Sequence, residues 1–276
     1  MKAFVPSHIT GFFAAKRNSD PMRSGSIGAG LALSMGGVTV AEKADITEIF
    51  LNGQLCEAPV SRYVIDRLAG SPVKVKTNLY MPLGSGFGAS AAGALGCAYA
   101  LNSLFDLGLT ANQAAAVAHE AEVANGTGLG DVIAQNTGGL VIRLKAGAPG
   151  TGKIDRIPTL PLKIDCVVQG PISTREVLSN PRTMRDINNF GKSAIKELLV
   201  RPTLSEFMRL SRQFTGKIGL ASSWAMDAIE AVQASGGMAS MIMLGDAVFS
   251  IGAPEALAEF GPVISTAISQ RGASLD

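Results

Sequence analysis

Residues 82–93 read Pro-Leu-Gly-Ser-Gly-Phe-Gly-Ala-Ser-Ala-Ala-Gly, with Gly84, Gly86 and Gly88 at alternate positions ahead of Ser90. Glycine lets a backbone approach a ligand closely and adopt positive φ. The small residues that follow predict a helix whose first N–H groups point back at the loop. The stretch predicts a site for a polyanion, most simply nucleotide phosphates, with Ser90 placed to join a metal ion held by them. The alternative is a glycine-lined turn before a core helix, because short glycine motifs often match by chance.

A second glycine-rich stretch, residues 147–153, matches most of a P-loop, but Ile154 stands where a P-loop has Ser or Thr for Mg²⁺. Pro158 follows too soon for a helix to continue from this loop. The residues before it, 138–144, read as a strand. We therefore interpret the stretch as a connection between strands and not as a nucleotide site.

The composition is that of a globular protein. The chain has 276 residues, of which 47% are hydrophobic and 17% charged, and can bury a sizeable core. The net charge of +2, without a Lys/Arg block, argues against a nucleic-acid partner. The sequence contains no apolar run of about 18 residues, so it predicts no membrane span. The three scattered cysteines argue against a disulfide framework or a zinc site. We expect a cytoplasmic protein.

The order of elements predicts an α+β architecture and not a strict βαβ series. Residues 1 to about 50 read as short strands with Gly-rich turns. Residues 73–77 alternate like a half-buried strand that leads into the glycine loop. Thr110 and Gln113 form a capping pattern for a helix that ends near Gly126.

The second half of the chain predicts helices followed by a hairpin. Residues 184–234 hold two or three amphipathic helices, and residues 241–250 read as a hairpin. Between the halves, residues 146–161 are rich in proline and glycine, which predicts a joint. We therefore expect an N-terminal domain, residues 1–155, and a C-terminal domain, residues 156–276.

Carboxylates flank a further glycine-rich loop, residues 125–131. Phosphoryl transfer needs hard oxygen ligands for Mg²⁺ and a carboxylate that orients or deprotonates the attacking hydroxyl. Glu122 before the loop and Asp131 after it supply groups suited to these two roles. Glu120 competes with Glu122 for the first role, and spacing does not separate them. The alternative is that both glutamates are solvated and Asp131 is a helix N-cap.

Three further polar residues are candidates for contact with a substrate. His8 interrupts an apolar stretch, where it would donate a hydrogen bond to a substrate oxygen or cap a strand end. Arg143 lies in an apolar strand and, if buried, needs a partner such as a substrate carboxylate; the alternative is an outward-facing residue. Thr174 follows a strand, in a loop that presents hydroxyl groups. His119, on an Ala-rich helix, is expected to be structural.

These motifs together resemble the GHMP kinase superfamily, which includes galactokinase, homoserine kinase and mevalonate kinase. Residues 82–92 are similar to its ATP-phosphate motif, Pro-x-x-x-Gly-Leu-Gly-Ser-Ser-Ala-Ala, and residues 235–241 to its C-terminal motif. The resemblance implies the GHMP kinase fold, with a ribosomal-protein-S5-domain-2-like N-terminal half and a ferredoxin-like C-terminal half. Further stretches look most like the archaeal-type pantoate kinases of that superfamily: residues 5–13, 23–31, 127–132 and 170–178.

The resemblance also implies an activity: ATP-dependent phosphorylation of (R)-pantoate to (R)-4-phosphopantoate in coenzyme A biosynthesis, with Mg²⁺. Ser90 and Glu122 would hold Mg²⁺–ATP, and Asp131 would activate the pantoate hydroxyl. Candidates for gripping pantoate would be His8, Arg143 and Thr174, with Arg143 on the carboxylate. The loop residues that would bind ATP are Gly84, Ser85, Gly86, Gly88, Ala89 and Ser90.

The sequence departs from the superfamily pattern at two points. No lysine is evident in the region where many relatives carry one to assist the catalytic aspartate, and Ala89 replaces the first serine of the Ser-Ser pair. Two alternatives remain open: a kinase for another small alcohol such as homoserine or mevalonate, and a non-catalytic RNA-binding protein. A homodimer is expected from the base rate for soluble enzymes.

Overall fold

Two long antiparallel strands, β1 and β2, form the centre of the fold. The computed structural model describes the backbone of residues 1–276 and every side chain except those of Arg175 and Leu178. The strands are β1 Lys2–Lys16, β2 Gly25–Lys43, β3 Glu48–Leu51, β4 Gln54–Leu55, β5 Val73–Leu79, β6 Leu140–Lys145, β7 Lys153–Ile157, β8 Lys163–Pro171, β9 Met238–Met241, β10 Gly245–Ile251, β11 Ile264–Ala267 and β12 Ser274–Leu275. The helices are α1 Pro59–Leu68, α2 Ala89–Leu104, α3 Ala111–Asn125, α4 Asp131–Thr137, α5 Thr174–Ser179, α6 Pro181–Val200, α7 Leu204–Ile218, α8 Ser223–Ala234 and α9 Pro254–Ala258.

The strands form two sheets. The larger sheet has the order β12-β1-β2-β5-β3-β4, and β6 pairs with β2 and with β7. The smaller sheet has the order β11-β8-β10-β9. Only β3 and β5 pair in parallel among the described strands; the other pairs are antiparallel. The last strand, β12, returns to pair with β1, so both ends of the chain lie in the larger sheet.

The expectation of short strands and turns in residues 1–50 is wrong. The glycines of residues 25–37 lie inside β2, where Gly28 and Gly30 pair with β6 and Gly37 pairs with β5. A Cβ at Gly30 would clash with the ring of His8, and one at Gly36 would clash with the carbonyl oxygen of Val5. These glycines therefore allow close approach of neighbouring groups within a sheet, a role that composition alone does not separate from a turn.

Helix α2 packs its small residues under the larger sheet. Its alanines and glycines are almost all buried, and a Cβ at Gly96 would meet Thr39 Oγ1 of β2 at 2.5 Å. Helices α1 and α3 pack beside it. The close contact between α2 and the sheet fixes where the helix begins, which is directly after the glycine loop.

Aromatic side chains join the two sheets through the helices of the second half. Phe12 of β1 lies 6.0 Å, between ring centroids, from Phe207 and 6.3 Å from Phe214, both on α7. Phe207 in turn contacts Phe249 of β10 at 6.3 Å. One hydrophobic core therefore runs through both sheets, and α7 links β1 to β10 within it.

Several expectations for individual elements are confirmed. The strand at 73–77 is β5, Thr110 and Gln113 form a capping box at α3, and Gly126 ends that helix with a φ of 68°. Residues 147–152 connect β6 to β7, and β9 and β10 form the expected hairpin. Within the described chain, no helix is both long and apolar enough to cross a bilayer. The domain boundary between residues 155 and 156 stays a prediction.

Candidate active site

The glycine loop between β5 and α2 adopts a backbone that other residues rarely reach. Gly84, Gly86 and Gly88 have φ values of 73°, 83° and 67°. A Cβ at Gly86 would lie 2.6 Å from the carbonyl oxygen of Met243, in the turn between β9 and β10. No described side chain caps the N-terminus of α2. The N–H groups of its first turn are therefore directed at the loop, as an anion site requires.

Three hydrogen bonds hold this loop in place. The backbone N–H of His8 donates to the carbonyl oxygen of Phe87 at 3.1 Å. Gln135 Nε2 donates to the carbonyl oxygen of Gly88 at 2.9 Å. The N–H of Ile172 donates to the carbonyl oxygen of Gly84 at 3.3 Å. The loop is thus fixed to β1, to α4 and to the end of β8 before any ligand arrives.

A cavity of about 540 Å³ lies in front of the loop. One part is apolar, with Leu51, Val60, Leu79 and Leu83 in its wall. The other part is polar and is lined by the loop at 126–131 and by Thr10, Ser26, Ser90, Arg143 and Thr174. An apolar region beside a glycine loop and a polar end suits a nucleotide whose phosphates point toward a second, polar substrate.

Glu122 lies buried at the end of α3, against the loop that follows it. Thr127 Oγ1 donates to Glu122 Oε1 at 2.7 Å, and Ser90 also hydrogen bonds to the carboxylate. A Cβ at Gly128 would clash with Glu122 Oε2, so glycine is needed there. Desolvation raises the pKa of Glu122 to about 7, the negative charge of Asp131 adds to this shift, and the two hydrogen bonds oppose it.

Glu120 lies in a different environment. Its carboxylate oxygens accept hydrogen bonds from Arg67 Nη2 at 2.8 and 2.7 Å, in an ion pair that is partly exposed. The structure therefore brings Glu122, and not Glu120, next to Ser90 and Asp131. Helical geometry explains the difference, because residues two apart on a helix do not face the same side.

Asp131 begins helix α4 and contacts His8. Its Oδ1 lies 2.7 Å from His8 Nδ1, while its side chain keeps 26% exposure toward the cavity. Asp131 Oδ2 lies 3.4 Å from where a Cβ of Gly128 would be, on the side of Glu122. His8 is fully buried behind Asp131 and is not part of the cavity wall. A direct contact with substrate, expected from the sequence, would need its ring to reach past Asp131.

Arg143 projects from β6 into the polar end of the cavity. It is 1% exposed, its Nη1 lies 3.4 Å from His8 Nε2, and its Nη2 donates to Thr10 Oγ1 at 3.4 Å. Its Nε has no hydrogen-bond partner among the described atoms. Burial lowers the pKa of Arg143 to about 10, opposed by the nearby charge of Asp131, so the guanidinium stays charged at neutral pH.

The absence of a side chain at Gly130 leaves room at Arg143. A Cβ there would lie 2.9 Å from Arg143 Nε and 3.1 Å from its Cζ. A buried guanidinium with an unpaired donor requires a partner, because such a group is costly to leave unsatisfied. The arrangement fits a carboxylate that enters from the cavity.

The remaining predicted residues divide between the cavity and the interior. Thr174, at the start of α5, and Ala89 and Ser90, at the start of α2, lie in the cavity wall. Ser85 is buried and donates to the carbonyl oxygen of Leu83 at 3.3 Å, within its own loop. Its side chain therefore supports the loop from inside.

Comparison with known proteins matches this geometry to a family. Residues 56–139 match the model of the GHMP kinases N terminal domain. The chain is 38% identical to the pantoate kinase of Thermococcus kodakarensis, over 91% of this chain and 87% of that protein. It is also 38% identical to the pantoate kinase of Methanospirillum hungatei, over 99% of this chain and 95% of that protein. The chain belongs to the pantoate kinase family of the GHMP kinases.

A solved structure has the same fold as this chain over its whole length. It is described as a phosphotransferase related to the CoA biosynthesis pathway, and it superimposes with a TM-score of 0.89 at 32% identity, covering 100% of this chain and 98% of that one. The expected GHMP kinase fold and the resemblance to pantoate kinases are thereby confirmed. GHMP kinases use ATP as phosphoryl donor, so the protein is an ATP-dependent kinase.

The cavity wall also contains polar residues that were not predicted from the sequence, and Thr10 and Ser26 are examples. Thr10 and Ser26 line its polar end, on adjacent strands β1 and β2. Each lies inside a stretch that resembles the family, but a lone hydroxyl residue in a strand gives no signal of its own. Gln135, which holds the loop at Gly88, was also missed, because a single amide residue on a helix gives no signal of its own.

The donor set around Ser90 fits Mg²⁺. Hard oxygen ligands are present in the Ser90 hydroxyl and the Glu122 carboxylate, and the desolvation cost that raises the pKa of Glu122 would be relieved by a cation. No group of three or more His, Cys, Asp or Glu side chains suited to a metal occurs among the described residues. Mg²⁺ usually takes one or two carboxylates together with substrate phosphates and water.

Proposed function

We propose that the protein transfers the γ-phosphoryl group of ATP to the primary hydroxyl of (R)-pantoate, giving (R)-4-phosphopantoate and ADP for coenzyme A biosynthesis. One observation carries the substrate assignment. The buried Arg143, with its unpaired Nε, shares the polar end of the cavity with Asp131 and Ser90. The site thus offers a partner for a carboxylate a short distance from a base and a phosphate loop.

Different parts of the cavity would bind ATP and pantoate. The loop amides of residues 84–90 would bind the phosphates, and the apolar wall around Leu51 and Leu79 would take the base of the nucleotide. Arg143 would bind the pantoate carboxylate in a bidentate manner, with Thr174 and Ser26 as further polar contacts. Binding at both ends places the free hydroxyl beside Asp131, which is the positioning that phosphoryl transfer needs.

In the transfer step the hydroxyl oxygen of pantoate forms a bond to the γ-phosphorus, and the bond from that phosphorus to the bridging oxygen breaks, leaving ADP. The hydroxyl proton goes to Asp131. Ser90 and Glu122 would hold Mg²⁺, which when bound supplies charge neutralisation at the phosphates. The buried amides around the loop add fixed dipoles without reorganisation.

A panel of acceptors tests the proposal. ADP release is measured with pantoate, homoserine and mevalonate at equal concentrations, with and without Mg²⁺. We expect turnover with pantoate only, and none after Mg²⁺ is chelated. Turnover with homoserine or mevalonate but not with pantoate would overturn the substrate assignment, and full activity without a divalent cation would overturn the role of Ser90 and Glu122. A cytoplasmic location and a homodimer stay predictions.

A further inference from the structure

His8 is enclosed between the proposed base and the proposed carboxylate ligand. Its Nδ1 lies 2.7 Å from Asp131 Oδ1, and its Nε2 lies 3.4 Å from Arg143 Nη1. The ring is fully buried, and Gly30 of β2 makes room for it, since a Cβ there would clash with Nε2. Both ring nitrogens therefore have a charged partner, Asp131 at Nδ1 and Arg143 at Nε2. A side chain that only fills space in the core would not need these two contacts.

The partners determine which nitrogen carries the proton. A guanidinium can only donate, so Nε2 of His8 must accept from Arg143. The proton of a neutral imidazole is then on Nδ1, where it is donated to Asp131 Oδ1. An imidazolium is disfavoured, because its Nε2–H would face Arg143 without an acceptor. Burial, the largest cause, also lowers the pKa of His8, as does the charge of Arg143, while Asp131 opposes this shift.

We propose that His8 is a positioning residue for phosphoryl transfer: its neutral Nδ1–H tautomer, set by Arg143, occupies Oδ1 of Asp131 and leaves Oδ2 to receive the hydroxyl proton. The proposal rests on the proposed function. Asp131 Oδ2 lies toward Gly128, in the cavity wall, which is where a hydroxyl would approach. The side chain of His8 thus orients the base without contact with either substrate.

His8 also provides a contact that orients Asp131, the role expected of the lysine that this sequence lacks. No lysine lies in the cavity wall among the residues whose side chains are described, and the Asp131 carboxylate instead has a hydrogen bond with His8. A neutral donor orients the carboxylate without adding a charge that would weaken it as a base. The backbone N–H of His8 meanwhile holds the glycine loop at Phe87. One residue thereby fixes the base and the phosphate loop relative to each other.

Two substitutions separate the two contacts of the ring. The amide nitrogen of asparagine takes the position of Nδ1, so His8→Asn keeps a donor for Asp131. The amide oxygen of the longer glutamine side chain takes the position of Nε2, so His8→Gln keeps an acceptor for Arg143. We expect His8→Asn to keep kcat within about 5-fold of wild type and to raise KM for pantoate. We expect His8→Gln to lower kcat by about 100-fold, the scale of a misplaced catalytic group, with KM for pantoate little changed.

The state of the ring is measured directly in the wild-type protein. The chain has two histidines, His8 and His119. His119 Nε2 lies 2.9 Å from the carbonyl oxygen of Ser24, so His119 must carry its proton on Nε2. Nitrogen NMR of protein labelled with ¹⁵N-histidine should therefore show two neutral rings of opposite tautomer at pH 7. The signals of the Nδ1–H form are assigned to His8 by their loss in His8→Asn. If that variant does not fold, they are assigned by their persistence in His119→Gln.

The outcomes are distinguishable from failure of the proposed function. Absence of wild-type turnover with pantoate contradicts that function, whereas the tautomer of His8 is read without turnover. An Nε2–H tautomer or an imidazolium at His8 overturns the positioning role. Equal kcat values for the folded Asn and Gln variants, or a higher kcat for Gln, overturn it as well. An Nδ1–H ring supports it when His8→Asn mainly raises KM for pantoate and His8→Gln mainly lowers kcat.

Discussion

Glu120 and Glu122 lie two residues apart on α3, and their carboxylates occupy opposite environments. Glu120 is in an ion pair with Arg67 at 2.7 Å at the edge of the helix, whereas Glu122 is 2% exposed and contacts Thr127 and Ser90. The pair offers a matched comparison, because the same substitution two residues away removes the same kind of charge from a site that contacts Arg67 and not Ser90.

Glu122→Gln should lower kcat by on the order of 10²-fold, because it removes a charged oxygen ligand from the phosphate site. Glu120→Gln should leave kcat within about 2-fold of wild type and cost less than about 1 kcal/mol of unfolding free energy, the usual range for a partly exposed ion pair. Steady-state ADP release with saturating pantoate measures both. A larger loss of kcat in Glu120→Gln than in Glu122→Gln would reverse the assignment.

The pH dependence of stability gives a second test of Glu122. Burial raises its pKa from 4.5 to about 7 in the folded protein. Its contribution to stability is therefore fully present below about pH 4.5 and is lost as the pH rises through about 7. The shift corresponds to about 3 kcal/mol, at about 1.4 kcal/mol for each pKa unit.

Urea denaturation of the ligand-free protein measures this contribution. The difference in unfolding free energy between wild type and Glu122→Gln should move by about 3 kcal/mol in favour of the variant between pH 4.5 and pH 8. Glu120→Gln is the control for loss of a carboxylate from α3, since this side chain is partly exposed and not buried like that of Glu122. A pH-independent difference between wild type and Glu122→Gln would contradict a buried, neutralised carboxyl group.

Asp131→Asn should lower kcat by about 10²–10⁴-fold while KM for ATP changes little, because the amide keeps the shape of the carboxylate but accepts no proton. Ser90→Ala should also lower turnover greatly and leave the fold intact. Thermal unfolding of both variants serves as the control for folding. Near-normal activity of Asp131→Asn would exclude this residue as the base.

Arg143→Met should raise KM for pantoate by at least about 30-fold, since removal of one partner of a buried charge pair costs about 2–5 kcal/mol. The KM for ATP should stay within about 3-fold, because Arg143 contacts His8 and Thr10 and is not part of the glycine loop proposed to bind the phosphates. Initial rates over a grid of both substrate concentrations separate the two constants. An increase confined to the KM for ATP would place the carboxylate elsewhere.

Gly86→Ala should weaken ATP binding by about 10-fold, because a Cβ at this positive φ adds strain of about 1–3 kcal/mol and meets the carbonyl oxygen of Met243 at 2.6 Å. Gly219, with a φ of 63° and no atom near its Cβ position, lies at the end of α7. Gly219→Ala therefore carries the same kind of strain away from the cavity, and its affinity for ATP should match wild type. Calorimetric titration with a non-hydrolysable ATP analogue compares the two, and equal Kd values would mean that the loop does not hold the nucleotide.

The local patterns were readable in the sequence where one residue type has one physical use. Alternating glycines before a run of alanine predict the loop and α2, and the capping residues Thr110 and Gln113 predict the start of α3. The glycines of β2 were misread, because a close approach inside a sheet and a turn select the same residue. Long-range pairing decides between them, and single-sequence patterns do not contain it.

The same limit applies to the polar residues of the site. Arg143 and Asp131 were recognisable as candidates, since a charge within an apolar strand and a carboxylate after a glycine loop both need a reason. The contact of Asp131 with His8 joins residues 123 positions apart and has no local signal. Glu122 could not be separated from Glu120 by spacing, because the direction of each side chain depends on how α3 packs.

The product of the reaction tests the central assignment most directly. Pantoate carries a primary hydroxyl at C4 and a secondary hydroxyl at C2, so proton-coupled ³¹P NMR distinguishes the two esters by the number of protons on the attached carbon. Incubation of the protein with ATP, Mg²⁺ and (R)-pantoate should give a phosphate triplet, from the CH₂ of the 4-ester, in equal amount to ADP. A doublet would mean phosphorylation at C2, and inorganic phosphate without an ester would mean that no transfer to pantoate occurs.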